Sequence, residues 1–560
     1  MQATDLNQVL DRIEARGADP VWISRRERAE VLRAAQAAPA GPLQGVAFAI
    51  KDNIDLAGLP TTAGCPGYAY APAVSAAVVQ RLVGAGAIPL GKTNLDQFAT
   101  GLVGVRSPYG VPVNPFGAEY IPGGSSSGSA VAVSAGLCDF ALGTDTAGSG
   151  RVPAAFNNLV GLKPTRGLLS TRGVVPACRS LDCVSIFSRT VADAAAVLAV
   201  AAGYDAEDPF SRPARPPLEN ENWPPRIGVP RGGQLAFFGN QAAAGLFSTA
   251  VEQWRHLGAT IVEIDYAPFQ AAARLLYEGP WVAERYAAIQ EFIARKPDAL
   301  HPVTRRIIEG GRTLTAAASF QASYRLAELR RQSEVVWEKI DALLTPTAGT
   351  IYRVAEVEAD PIQLNSNLGY YTNHLNLLDL CGLALPAGFL PNGLPWGVTL
   401  SAPAFCDDRL LRLGARFRNE PAPARALPAV GPCTRVAVCG AHLSGLPLNG
   451  QLTRLGATLV SATTTAPHYR LFALPGTTPP KPGLIRVETG GAAIAVEVWE
   501  LPLVAFGHFV AGIPAPLGIG TITLGDGSKV QGFLCESTAV EGAREVTAYG
   551  GWRAFLSDKR

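Results

Sequence analysis

Charge is scarce in this 560-residue chain: Asp, Glu, Lys and Arg make up 17% of it and leave a net charge of only +2. Globular domains usually carry about a quarter charged residues, and a balance this small offers no basic footprint for nucleic acid. Long apolar runs are missing as well. The longest, such as 192–203, contain Asp193 and are too short to cross a bilayer. Met1-Gln-Ala-Thr-Asp-Leu has neither the basic nor the apolar region of a secretory leader, so the expectation is a cytoplasmic protein with no membrane partner. The nine cysteines form no CxxC pair and are odd in number, which favours reduced, mostly buried thiols over disulfides or zinc ligands. Histidine is rare, with 6 residues in all. What is plentiful is hydrophobic side chain, 48% of the total, enough for a sizeable core.

Punctuation along the chain predicts its organisation. Length alone suggests roughly three to four domains, although large α/β units exceed that average. Residues 1–40 are expected to be helical, with Leu6, Val9, Leu10 and Ile13 at helical spacing. From Gly45 onward, short apolar runs (46–50, 87–90) alternate with Ala-rich helical stretches (73–82, 129–135, 191–202), the pattern of an α/β sheet covered by helices. A helical insertion is expected over about 240–340. The Pro/Ala-rich stretch within 419–433 reads as a linker between a first domain, 1–418, and a second, 434–560, built from short strands and Gly/Pro turns.

Two motifs invite readings that their context refuses. Gly86-Ala-Ile-Pro-Leu-Gly-Lys-Thr93 satisfies the Walker A pattern, but a phosphate loop must follow a strand and open a helix, and here the order is reversed. Pro89 also sits where such a loop needs a free amide. Gly124-Ser-Ser-Ser-Gly128 matches the G-x-S-x-G elbow with Ser126 at its centre. No apolar strand precedes it, and the only histidines before the linker are His256, His301 and His374.

A serine hydroxyl needs a base before it can attack, and a desolvated lysine can be that base. Three segments supply the parts: Val46-Ala-Phe-Ala-Ile-Lys-Asp-Asn-Ile54, Ile121-Pro-Gly-Gly-Ser-Ser-Ser-Gly-Ser-Ala130 and Leu142-Gly-Thr-Asp-Thr-Ala-Gly-Ser-Gly-Arg151. A flexible Gly/Ser linker is the plain alternative for the second, but it is short and bracketed by apolar segments. In order and spacing the three resemble the amidase signature family over most of residues 20–415. The resemblance implies an α/β fold, a mixed β-sheet sandwiched by helices, and a Ser-cisSer-Lys triad without histidine. It makes Ser149 the nucleophile, Ser125 the cis-serine and Lys51 the base, with the N–H groups of Thr146, Ala147, Gly148 and Ser149 as the oxyanion hole and Gly124 beside the substrate. A non-proline cis peptide costs about 3 to 4 kcal/mol, so one at Ser125 would mark a functional site. Lys51 must be neutral to act, which burial behind an apolar strand would favour. Asp145 and Arg151 take the family's supporting roles rather than chemical ones.

The segments Val436–Asn449, Tyr469–Pro475, Lys481–Val487 and Ile513–Thr521 look like the smaller α+β domain, of γ-glutamylcyclotransferase-like type, that is appended to the amidase in the allophanate hydrolase family. That resemblance implies hydrolysis of allophanate (urea-1-carboxylate) to ammonia and carbon dioxide, with no metal or organic cofactor. Tyr277 and Arg285 match the places that hold the substrate carboxylate. A planar guanidinium suits a carboxylate because it can donate two parallel hydrogen bonds, although an arginine on a helix is by default a solvated charge. The appended domain is expected to assist decarboxylation of N-carboxycarbamate with His442 as acid/base group, His468 and His508 being weaker candidates. A homodimer is usual in the family, and functional coupling to a urea carboxylase or a biuret hydrolase would supply the substrate. Two alternatives stay open: a broader amidase or the glutaminase subunit of an amidotransferase, and a non-catalytic scaffold or binding module.

Overall fold

The computed structural model describes residues 1, 3–214, 224–424, 426, 433–455 and 457–558. The chain divides into two compact units, Met1–Pro428 and Ala429–Arg560. Part of the expected linker, residues 425 and 427–432, lies outside the described residues. Ala426 belongs with the first unit: it is buried, and its N–H donates to Asp408 Oδ1 at 2.8 Å.

Eleven described strands form one mixed sheet in the first unit. They are β1 (Trp22–Arg25), β2 (Ala47–Lys51), β3 (Ile88–Thr93), β4 (Phe140–Asp145), β5 (Val160–Lys163), β6 (Cys183–Ser188), β7 (Arg226–Pro230), β8 (Thr260–Ile264), β9 (Ala342–Pro346), β10 (Leu380–Phe389) and β11 (Pro395–Pro403). Their order is β1-β3-β2-β4-β6-β5-β10-β11-β9-β7-β8. β2 runs parallel to both β3 and β4, whereas β4, β6, β5, β10, β11 and β9 pair antiparallel in turn. β1 corrects the expectation that residues 1–40 are all helix: Leu6–Ala15 and Arg28–Gln36 are helical, but Trp22–Arg25 pairs with the edge of β3. Backbone pairing there outweighs local propensity, which is a weak prior for so short a stretch.

The centre of this sheet is buried on both faces, and its side chains alternate between two cores. Phe48, Ile50, Phe140 and Leu142 enter one, with Phe48 and Phe140 stacked at 5.0 Å. Ala47, Ala49 and Ala141 enter the other, against Ala130 to Val133 of the helix Ser127–Ser134. Small side chains on that second face let the helix approach closely. A Cβ on Gly128 would lie 2.5 Å from Val21 O, and one on Gly143 would lie 2.6 Å from Ser126 Oγ, so neither position tolerates any other residue without a shift. Lys92 of the Walker-like segment lies inside β3, fully buried and paired with Asp52 at 3.0 Å.

The helical insertion comprises Gln241–His256, Ala267–Glu278, Trp281–Arg295, Pro302–Glu309 and Ala316–Glu334, interrupted by strand β8. Gly279 and Pro280 separate the second of these helices from the third. In the second unit, strands β12 (Cys433–Val438), β13 (Thr458–Thr464), β14 (Tyr469–Ala473), β15 (Pro482–Arg486), β16 (Ala495–Pro502), β17 (Leu517–Thr523), β18 (Lys529–Cys535) and β19 (Arg544–Glu545) make two sheets, ordered β13-β16-β12-β18-β17 and β15-β14-β19. The helix Leu503–Ala511 contributes to a separate hydrophobic core that includes Val436, Leu484, Val498, Phe509 and Trp552. No described helix is long and apolar enough to cross a membrane.

Candidate active site

Lys51 ends β2, and every residue of that strand is buried. Its Nζ lies 2.7 Å from Ser125 Oγ and donates to Thr144 Oγ1 at 2.8 Å; Asn53 Nδ2 donates to the same hydroxyl at 3.3 Å. Burial pushes the Lys51 ammonium down from near 10.5 to about 7. Asp96, Asp182 and Asp145 pull it back up, and Arg285 adds to the lowering, but no carboxylate among the described residues reaches salt-bridge distance. Desolvation thus favours the neutral amine that a general base must be.

Ser125 follows Gly124 across a cis peptide bond and precedes the helix Ser127–Ser134. Gly124 has no room for a side chain: a Cβ would stand 2.1 Å from Asp96 Oδ2. That carboxylate accepts from the N–H groups of Val103, Gly104 and Arg106 and so organises residues 96–106. Ser126, the centre of the elbow-like motif, donates to Thr144 O at 3.2 Å and accepts from Thr144 N at 3.3 Å. Its hydroxyl is thus taken up by the backbone of β4.

Ser149 lies in the turn between β4 and the helix Val152–Phe156, 3% exposed. Its Oγ donates a long 3.5 Å bond to Gly101 O and, among the described residues, makes none to Ser125. The N–H groups of Thr146, Ala147, Gly148 and Ser149 donate no hydrogen bond within the described residues, so the turn presents a row of free donors. Gly148 sits at φ +144°, and a Cβ there would be 2.4 Å from Thr372 Oγ1, which fixes glycine at this point. Arg151 holds the turn from behind: Nε and Nη2 each donate to Asp145 at 2.9 Å, and both η nitrogens reach Thr372 O at 3.2 Å. Burial alone would raise the Asp145 carboxyl, but Arg151 outweighs it and keeps the group below the usual carboxylate range. At the front of the turn the Thr146 hydroxyl donates to Asp182, a buried carboxyl that desolvation raises to about 6.

Arg285 is the fifth residue of the helix Trp281–Arg295 and is 2% exposed. Nη1 donates to Thr100 Oγ1 at 3.1 Å and Ala99 O at 3.4 Å, and Nη2 to Tyr277 Oη at 3.5 Å. Its Nε is buried without a partner among the described residues. Thr100 and Gly101 are neighbours in the chain, so one loop touches both Arg285 and Ser149. Tyr277 and Asn365 line an adjoining cavity of about 340 Å³.

Lys51, Ser125, Ser149, Gly124, the Thr146–Ser149 turn, Tyr277 and Arg285 thus share one locality. Sequence reasoning passed over Thr144, Asn53, Asp182 and Thr372. Thr144 stood inside the Leu142–Arg151 motif, and Asp182 was visible as a carboxylate just before a mostly apolar strand; Thr372 left no signal at all. In the second unit His442 and His508 line a cavity of about 550 Å³ with Lys481, Thr478, Phe509 and Phe533, whereas His468 is exposed and lies outside that lining. His442 Nε2 meets Gln451 Oε1 at 2.9 Å, and its ring stacks on Phe533. Burial lowers its pKa from the ordinary histidine value.

This chain belongs to the amidase family, whose profile matches residues 10–411, and its large mixed sheet between helices is the amidase signature fold. Residues 434–557 match the allophanate hydrolase C-terminal domain, which makes the whole an allophanate hydrolase-like member of those enzymes. The allophanate hydrolase of Kluyveromyces lactis is 40% identical, with a TM-score of 0.72 over 100% of this chain and 97% of that one. The urea amidolyase of Saccharomyces cerevisiae is 43% identical over 98% of this chain but 32% of its own length, so the chain spans about a third of the curated relatives it matches first. A glutamyl-tRNA(Gln) amidotransferase component from Synechococcus sp. (strain RCC307) is 36% identical over 68% of this chain and 84% of its own.

Proposed function

We propose that this chain hydrolyses allophanate through an acyl-Ser149 intermediate. Neutral Lys51 takes the Ser125 proton while Ser125 takes that of Ser149, whose oxygen attacks the terminal carboxamide carbon. The developing oxyanion meets the free N–H groups of Thr146 to Ser149, and ammonia leaves with the relayed proton. Water then releases N-carboxycarbamate from Ser149. Loss of carbon dioxide and breakdown of the carbamate yield the second ammonia.

The observation that carries the substrate choice is Arg285: a buried guanidinium with an unpartnered Nε, bonded to Thr100, the neighbour of the Gly101 that Ser149 touches, and to Tyr277, which lines a cavity of about 340 Å³. A buried, incompletely satisfied cation calls for an anion, and allophanate offers a carboxylate next to its amide. The C-terminal profile and the likeness to the Kluyveromyces lactis allophanate hydrolase support the same choice. In the second unit, His442 lines its cavity beside Lys481 and serves as acid/base group for decarboxylation, burial favouring its neutral, proton-accepting form. Its substrate would be supplied by a urea carboxylase or a biuret hydrolase, and the proposed working unit is a homodimer. Ammonia release measured on allophanate, biuret, glutamine and an aliphatic amide tests the reading; preference for glutamine would support the glutaminase alternative instead.

A further inference from the structure

Asp182 has no part in the reaction above, yet it is buried and placed against the oxyanion turn. Its Oδ1 accepts from the Thr146 hydroxyl and from Cys178 N at 3.2 Å, and its Oδ2 accepts from Ala177 N at 2.9 Å. The segment 177–182 is pinned on its other side to the helix that carries Arg285: Glu284 accepts from Ser180 N and Ser180 Oγ, both at 2.7 Å, and Cys178 Sγ donates to Trp281 O at 3.5 Å. Asn376 Nδ2 ties the start of the turn to the same segment, donating to Asp145 O and Leu181 O at 2.8 Å each, but among the described residues Asp182 provides the one side-chain hydrogen bond to Thr146 itself.

We infer that Asp182 is a positioning residue, which through the Thr146 hydroxyl fixes the oxyanion turn relative to the Arg285 helix. The physical reason is the tolerance of such a site. Free amide donors stabilise a developing oxyanion only when they already point at it, and a misplacement of about 1 Å can cost on the order of 10²-fold in rate. A carboxylate with three donors converging on it is a stiffer anchor than a lone hydroxyl contact, because charge-assisted bonds are shorter and stronger.

The inference rests on the amidase reading of Ser149, so ammonia release by the unaltered protein comes first; a protein inert toward every amide in the panel would sink that reading and leave this one without a reaction. With an active protein, Asp182→Asn should lower kcat by about tenfold or more while KM changes less than about threefold, since the Arg285 contacts are untouched. Thr146→Val should do the same and Thr146→Ser should restore most of the rate. Because the two residues act as one unit, Asp182→Asn with Thr146→Val should be no slower than Asp182→Asn alone. Thermal melting of each variant separates loss of the fold from loss of rate, and Thr146→Val, which removes one hydroxyl, serves if Asp182→Asn does not fold. Multiplicative effects in the double variant, an effect on KM alone, or a Thr146→Val protein with the original kcat would overturn it.

Discussion

Replacing Lys51 by methionine probes the chemistry and the electrostatics together. Burial lowers this amine from near 10.5 to about 7. A displacement of that size corresponds to roughly 4 to 5 kcal/mol of disfavour for the charged form at a fully buried site. The sign follows from proton binding. Above about pH 10.5 both folded and unfolded chains carry the neutral amine, and it costs nothing. As pH falls, the unfolded chain takes its proton first, so the cost grows between about 10.5 and 7 and stays constant below 7, where the folded chain is protonated too. Methionine removes this cost but leaves the hydroxyls of Ser125 and Thr144 short of a partner, at about 1 kcal/mol each. Lys51→Met should therefore release no ammonia at any pH, yet melt a few degrees higher than the original protein at pH 7, with the advantage fading toward pH 10. In the unaltered protein kcat/KM should rise with pH as the amine loses its proton, lying about tenfold below its plateau at pH 6. A profile flat from pH 9 down to 6, or a Lys51→Met protein markedly less stable at pH 7, would refute the assignment of a desolvated neutral base.

Ser149→Ala should abolish ammonia release with the fold intact, and adding Ser125→Ala should cost little more, because members of one relay are not additive; activity within tenfold of the original would remove Ser149 from the role. Arg285→Lys should raise KM for allophanate strongly and affect a neutral amide far less, since an ammonium cannot reproduce the guanidinium fork; equal losses on both would make Arg285 structural. A chain ending at residue 428, where the first unit closes, should still release the first ammonia, and it and full-length His442→Asn should both accumulate N-carboxycarbamate in rapid-quench carbon NMR. Carbon dioxide released as fast as by the original protein would show decarboxylation to be spontaneous.

The sequence by itself determined the elements and the chemical parts. A short apolar run, residues 46–50, marked the strand ending at Lys51, and the resemblance to the family singled out two of many serines as candidates. Side-chain types alone suffice for such statements, since a nucleophile, a base and a row of amides are recognisable wherever they stand. Only the tertiary structure decided how they act on one another. It alone decided, too, that Gly124 and Gly148 leave no room for a side chain, against Asp96 and Thr372. The pKa of Lys51 depends on what surrounds it, and that surrounding is assembled from residues up to 234 positions away, Arg285 among them. Ser126 and Ser125 are adjacent and identical in type, yet one is consumed by the backbone of β4 while the other faces the lysine, a difference of direction that no spacing encodes. Asp182 and Thr372 reach the oxyanion turn from 33 and 223 positions beyond Ser149, through strand pairing and loop packing that bring them there only after the sheet has formed. Desolvation and orientation are properties of an environment, and a chain acquires an environment when it folds.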